Sequence, residues 1–192
     1  MKTLVDCIVT FMDVIGVRRL LDAGKPDAVA AMKQVHHAVA TAKIHYSRNT
    51  EICVWNDSVL IHSIVSESDN SYVEAMRPLA ILKATVDTIR PSFAICVKGQ
   101  SLRSPNIPVT KSRRSFRFIY LSASSLALTN CFEVEKALKH HRKDWYIDAR
   151  IMRRIKSSLS RDGDATEKVS LYPRDTCRTF HMFKNSFIRE KE

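Results

Sequence analysis

The chain has 192 residues, 45% of them hydrophobic, with only 4 Gly and 6 Pro. That is enough for one well-buried core and too short for two comfortable domains, so a single domain spanning residues 1–192 is expected. No apolar run approaches the roughly 18 to 20 residues of a membrane span. Asp6 also interrupts the N-terminal run where a signal peptide would be purely apolar, and both points argue for a cytoplasmic protein with no membrane partner. The five cysteines, Cys7, Cys53, Cys96, Cys131 and Cys177, are widely spaced, form no CxxC pair and sit mostly in apolar runs, as in a reducing compartment. A formal charge of +11 and a pI near 9.6 call for a partner rich in negative charge. Nucleic acid and nucleoside polyphosphate both satisfy that, and charge alone does not choose between them.

The predicted elements alternate along the chain. TLVDCIVTFM, from Thr3, is β-branched and apolar enough for a buried strand. The segment from Lys25 to Asn49 then places Val29, Met32, Val35, Val39, Ala42 and Tyr46 on one face of a long helix, with Pro26 and Asp27 suited to its first turn. EICVWNDSVLIHSIV reads as two short strands around the turn residues Asn56, Asp57 and Ser58. A second helix is expected over about Ser71 to Ile89, burying Val73, Met76, Leu79, Ala80, Leu82 and Val86. Pro91 ends it, and SFAICVKG forms a fourth strand. The pairs His36-His37 and His140-His141 lie on predicted helices, where sequence neighbours diverge by about 100° and cannot chelate one ion together, so they read as surface residues. Ser160 to Lys168 reads as an exposed loop without chemistry, and the aromatic, basic tail from Arg178 either packs across a dimer or stays partly mobile.

The order βαββαβ is ferredoxin-like, with right-handed crossovers placing the first strand in the sheet centre beside the third. That topology gives Asp13 a partner. The first strand ends at Asp13 and the antiparallel third strand begins just after Asp57, so both carboxylates should face one site at the same sheet edge. Unpaired, they would repel; a divalent cation between them resolves the conflict, and magnesium takes one or two carboxylates plus waters and substrate phosphates. The following turn, VIGV, offers backbone N–H groups to an anion, with Gly16 permitting close approach. Taken singly, an aspartate at either position is more often a cap or turn former. Their joint placement is what points to triphosphate chemistry.

These residues carry a family resemblance. FMDVIGV (Phe11 to Val17) is similar to the first metal motif of class III nucleotidyl cyclases, and WNDSVL (Trp55 to Leu60) to the hairpin that carries their second metal aspartate. SFAICVKGQ resembles their strand ending in a glycine, and YLSASSLALTNCFEVEKAL their later helix. The likeness covers about residues 4–148, with 149–192 as a C-terminal extension of additional strands and helices, making an α+β class III cyclase catalytic domain. Within the family the chain most resembles the small bacterial pyrimidine cyclases of antiphage (Pycsar) systems.

The resemblance implies that Asp13 and Asp57 bind two divalent ions, Mg2+ or Mn2+, with the Val14 carbonyl as a further ligand. It also implies that the amides of Ile15, Gly16 and Val17 hold the β- and γ-phosphates. The 3′-oxygen of a nucleoside triphosphate would attack the α-phosphorus and release pyrophosphate, in a homodimer with both sites at the interface. Purine cyclases carry a base-reading lysine four residues before the second metal aspartate; here it is Cys53, a weak donor without charge. This favours a pyrimidine, UTP ahead of CTP because uracil offers two carbonyl acceptors to a basic chain, with Cys53, Trp55 and Tyr46 as base-binding candidates. The product, cyclic UMP, would signal to a separate cyclic-nucleotide-sensing effector. The asparagine and arginine of the family's transition-state pair align with Thr129 and Glu133, and Glu133 cannot stabilise a developing phosphoryl charge. A cation must then come from Lys98, Arg103, Lys111, Arg113, Arg114 or Arg117, with Arg114 and Arg117 of the basic run KSRRSFR as the leading candidates. Polymerase palms and diguanylate cyclases share the strand order, but the absence of finger or thumb segments and of a GG[DE]EF-like run argues against a nucleic-acid-dependent enzyme. A cytidylate cyclase and a non-catalytic nucleotide-binding relative remain as alternatives.

Overall fold

The structure, a computed structural model, describes residues 3–24, 26–42, 49–103, 126–138, 145–156, 165–171 and 178–183. Its spine is β1 (Thr3–Val14), flanked by β3 (Ser58–Ile64) and β4 (Ser92–Arg103), both antiparallel to it. With β2 (Thr50–Trp55), β5 (Trp145–Asp148), β6 (Ala165–Leu171) and β7 (Arg178–Phe183) they form one seven-stranded sheet of order β2-β3-β1-β4-β5-β7-β6. The first four strands have the expected ferredoxin-like order. β5 then joins β4 in parallel, and β7 and β6 extend the sheet antiparallel.

Alternation along β1 sorts its side chains onto two faces. Ile8, Met12 and Val14 enter a core with residues of α2 (Pro26–Ala42), α3 (Asp69–Ile89) and α5 (Ala149–Ile155). Cys7, Val9 and Phe11 enter a second core on the other face, covered by α4 (Leu126–Ala137). The short helix α1 (Val17–Asp22) follows directly on the turn after β1. Among the described residues, no helix is long and apolar enough to cross a membrane.

All six residues expected to face inward from α3 are buried, and the helix starts two residues early because the Ser68 side chain accepts the Ser71 N–H and caps it. The stripe on α2 differs. Val29 is 46% exposed, while Ala28 and Ala31 are buried with Val35 and Val39. Small residues let α2 pack closely on its neighbours α1 and α3, and Val29 lies just off that line. Tyr46 lies outside the described residues.

Two further differences have physical causes. The fourth strand does not end at Gly99 but runs on to Arg103, since Gly99 serves a close approach: a Cβ there would sit 2.5 Å from Ala127 Cβ on α4. Part of the segment read as an exposed loop, from Ala165, belongs to β6, which pairs with β7. The C-terminal elements are fastened by Asp148, 2% exposed, which caps α5 through Arg150 N–H at 2.9 Å. Its carboxylate also receives the Arg150 guanidinium at 2.6 Å and faces Arg178 of β7 at 3.9 Å. Hydrogen bonding to Asp148 raises the Arg150 pKa, whereas burial and the neighbouring Arg150 lower that of Arg178.

Candidate active site

β1 carries Asp13 to the sheet edge, in register with Ser58 of β3 and Phe93 of β4. Asp57 is the residue before Ser58, so one peptide step separates it from the direct cross-strand neighbour of Asp13. The two-residue tip between β2 and β3 is Asn56-Asp57, with Asn56 in the left-handed region at φ 52°, a conformation asparagine tolerates better than most residues. Two hydrogen bonds stitch the tip to the end of β1. Val14 N–H donates to the Asp57 carbonyl at 3.2 Å, and the buried Ser58 hydroxyl donates to Asp13 Oδ1 at 2.8 Å. The sheet therefore makes neighbours of residues 13 and 57, which the sequence places 44 positions apart.

After Asp13 the chain turns through Gly16 at φ 87°, where a side chain would be strained, and apart from the adjoining chain no atom lies within 4 Å of the place a Cβ would take. Open space above the backbone is what an approaching anion needs. The Ile15 N–H, however, donates to the Pro91 carbonyl at 2.8 Å, tying the turn to the start of β4. The expected three-amide cradle is thus corrected by one member, because Ile15 spends its donor on the fold. Gly16 and Val17 remain at the start of α1, where first-turn N–H groups have no intrahelical acceptor.

The donor set fits a hard divalent cation. Asp13 and Asp57 are half-buried, their oxygens suit magnesium or manganese, and among the described residues no group of three His, Cys, Asp or Glu forms a ready-made metal cluster. The rest of a shell would have to come from backbone carbonyl, water or substrate oxygen.

The face of Asp13 is also that of Phe11, whose ring packs against Phe93 at 6.1 Å and Phe132 of α4 at 5.8 Å between centroids. Cys53 lies on β2 opposite Leu60, packed against the same core, and burial raises its thiol pKa, keeping it neutral. Trp55 ends β2 opposite Ser58, immediately before the tip. Arg114 and Arg117, like Lys111 and Arg113, lie outside the described residues. Lys98 is described, and the structure removes it from this edge. It pairs with Ile8, is bonded to Asp6 at 3.1 Å, and its ammonium stands 5.3 Å from the ring centroid of Tyr72 on α3. Thr129 is exposed and Glu133 half-buried on α4.

One neighbour of the tip was not legible in the sequence. His36 of α2, expected as a plain surface residue, has Nε2 2.8 Å from the Asn56 carbonyl. Helical periodicity could not reveal this, because it reports which face is buried and not what the helix rim reaches.

No family model matches the chain, and no curated protein matches it. Solved structures do match. The guanylyl cyclase Cya2 superposes with a TM-score of 0.66 at 9% identity, over 96% of this chain and 94% of that one. The adenylyl cyclase CyaB from P. aeruginosa gives 0.62 at 10% identity, over 97% of both chains. The catalytic core of a rhodopsin-guanylyl cyclase with converted specificity, in complex with ATPalphaS, gives 0.62 at 11% identity, over 95% of this chain and 97% of that one. The chain has the α+β fold of a class III nucleotidyl cyclase catalytic domain.

Proposed function

We propose that the chain is a nucleotidyl cyclase that converts a pyrimidine nucleoside triphosphate, UTP ahead of CTP, to the 3′,5′-cyclic nucleotide and pyrophosphate. The observation that carries this reading is the stitched pair Asp13–Asp57 beside the open Gly16 turn, on a cyclase fold. Asp13, Asp57 and the Val14 carbonyl would hold two divalent ions, Mg2+ or Mn2+, which supply charge neutralisation for the triphosphate and acidify the 3′-hydroxyl. The Gly16 and Val17 amides would orient the β- and γ-phosphates, so that the 3′-oxygen bonds to the α-phosphorus as the bond to the β-phosphate oxygen breaks. With phosphate held at the turn, the base would lie toward β2. There Cys53 offers a neutral thiol in place of a cationic donor, which favours a pyrimidine, with Trp55 and Tyr46 as candidate walls. Arg114 and Arg117 are the proposed source of transition-state charge.

The protein would act as a cytoplasmic homodimer, each site completed by the second copy. Its cyclic UMP would be read by a separate effector in antiphage defence, as the Pycsar likeness implies. The test is incubation with ATP, GTP, CTP and UTP at equal concentration with Mn2+, followed by mass analysis. Cyclic UMP is expected to dominate. A dominant purine product overturns the pyrimidine reading, dominant cyclic CMP overturns only the choice of UTP, and no turnover with nucleotide bound makes the chain a non-catalytic relative.

A further inference from the structure

Asp57 is carried on a two-residue tip, and a tip of that length is held by its strands only at the base. Asn56 sits in the left-handed region at φ 52°, the geometry a two-residue hairpin turn asks of asparagine. On one side the tip is tied to β1 through the Asp57 carbonyl and the Val14 N–H. On the other, His36 reaches across from α2 to the Asn56 carbonyl at 2.8 Å. A carbonyl only accepts, so His36 Nε2 carries the hydrogen, as either the neutral ring or the imidazolium can.

We propose that His36 is a positioning residue, which presets Asp57 for the divalent ion it shares with Asp13; the inference rests on the metal reading of that pair. His36 is exposed, so truncating it deletes this hydrogen bond without opening a cavity. Groups that orient metal ligands from behind typically alter metal affinity about 10- to 100-fold. The neighbouring His37 faces elsewhere, onto a groove between α2 and α3 lined by Lys33, Thr41 and Thr88, and serves as an internal control.

The experiment is a titration of the full chain with Mn2+ alone, free ion followed by electron paramagnetic resonance, for wild type, His36→Ala, His36→Gln and His37→Ala. Urea midpoints are measured in parallel. His36→Ala should weaken Mn2+ binding on the order of tenfold, while His36→Gln, whose amide can donate, recovers most of it and His37→Ala matches wild type. Wild-type affinity in His36→Ala overturns the proposal, as does failure of His36→Gln to recover binding. A loss of binding that only tracks a lower urea midpoint overturns it as well. A wild type without any Mn2+ site that Asp13→Ala and Asp57→Ala remove rejects the metal reading and this inference with it, an outcome distinct from equal binding by wild type and His36→Ala.

Discussion

Asp87→Ala tests how the turn behind the site is held. Lys83 of α3 is 1% exposed, with its ammonium 2.7 Å from Asp87 Oδ2 and 5.5 Å from the ring centroid of Trp145. The other oxygen, Asp87 Oδ1, accepts the Ser92 N–H at 2.9 Å and the Ser92 hydroxyl at 2.6 Å. Those bonds fix the turn in which the Pro91 carbonyl receives Ile15 N–H, so the carboxylate supports the chain that follows Asp13. Removing it leaves a buried cation without its partner. Breaking a buried pair from one side costs about 3–5 kcal/mol, and because Asp87 is itself 35% exposed the lower end, about 3 kcal/mol, applies. Loss of the Ser92 bonds adds about 1 kcal/mol. The double variant Lys83→Met with Asp87→Ala deletes the orphaned charge and keeps most of the side-chain volume, so it should be more stable than Asp87→Ala by about 2 kcal/mol. Urea unfolding at neutral pH measures both. An Asp87→Ala loss below about 1 kcal/mol, or a double variant no more stable than the single one, refutes the reasoning.

Three other outcomes are expected. Asp13→Ala and Asp57→Ala should each abolish cyclisation while leaving the circular dichroism spectrum and the mass in light scattering unchanged; full activity in either variant removes that residue from the site. Gly99→Ala should cost about 1–3 kcal/mol in urea unfolding, since its Cβ would meet Ala127 Cβ at 2.5 Å and the Ala127 Cα at 2.9 Å, and backbone must give way. Burial lowers the His62 pKa, against a smaller opposing effect of Glu51, so the unfolded chain binds the proton more readily than the folded one. Stability from this group is then complete above the unfolded value of about 6.5 and declines as pH falls below it, and His62→Gln should flatten urea midpoints between pH 7.5 and 5.

What could be read in the sequence follows from the length scale of each signal. The 21 residues of α3 repeat their apolar spacing several times, so Val73 through Val86 identify its buried face without ambiguity. The six residues of α1 and four of β5 are too short to repeat anything, and their places are set by the sheet they join. Glycine usually weakens a strand, so the sequence points to an end at Gly99, whereas β4 continues to Arg103. Here its missing side chain admits α4, a fact that belongs to the partner element and not to β4. The adjacency of residues 13 and 57 is legible for a different reason: strand order turns a long sequence separation into closeness at one end of the sheet, and Asp13 beside Ser58 needs nothing beyond topology and register. His36 needs more, namely the roll of α2 and its height along the hairpin, which depend on how closely α2 packs on α1 and α3, with Ala28, Ala31 and Ala38 buried. Residues that would bind ligand are thus placed by the sheet, whereas a residue that steadies them is placed by side-chain size on a helix. A larger residue at the buried Ala31 or Ala38 should therefore shift α2, lift His36 from the Asn56 carbonyl and weaken Mn2+ binding.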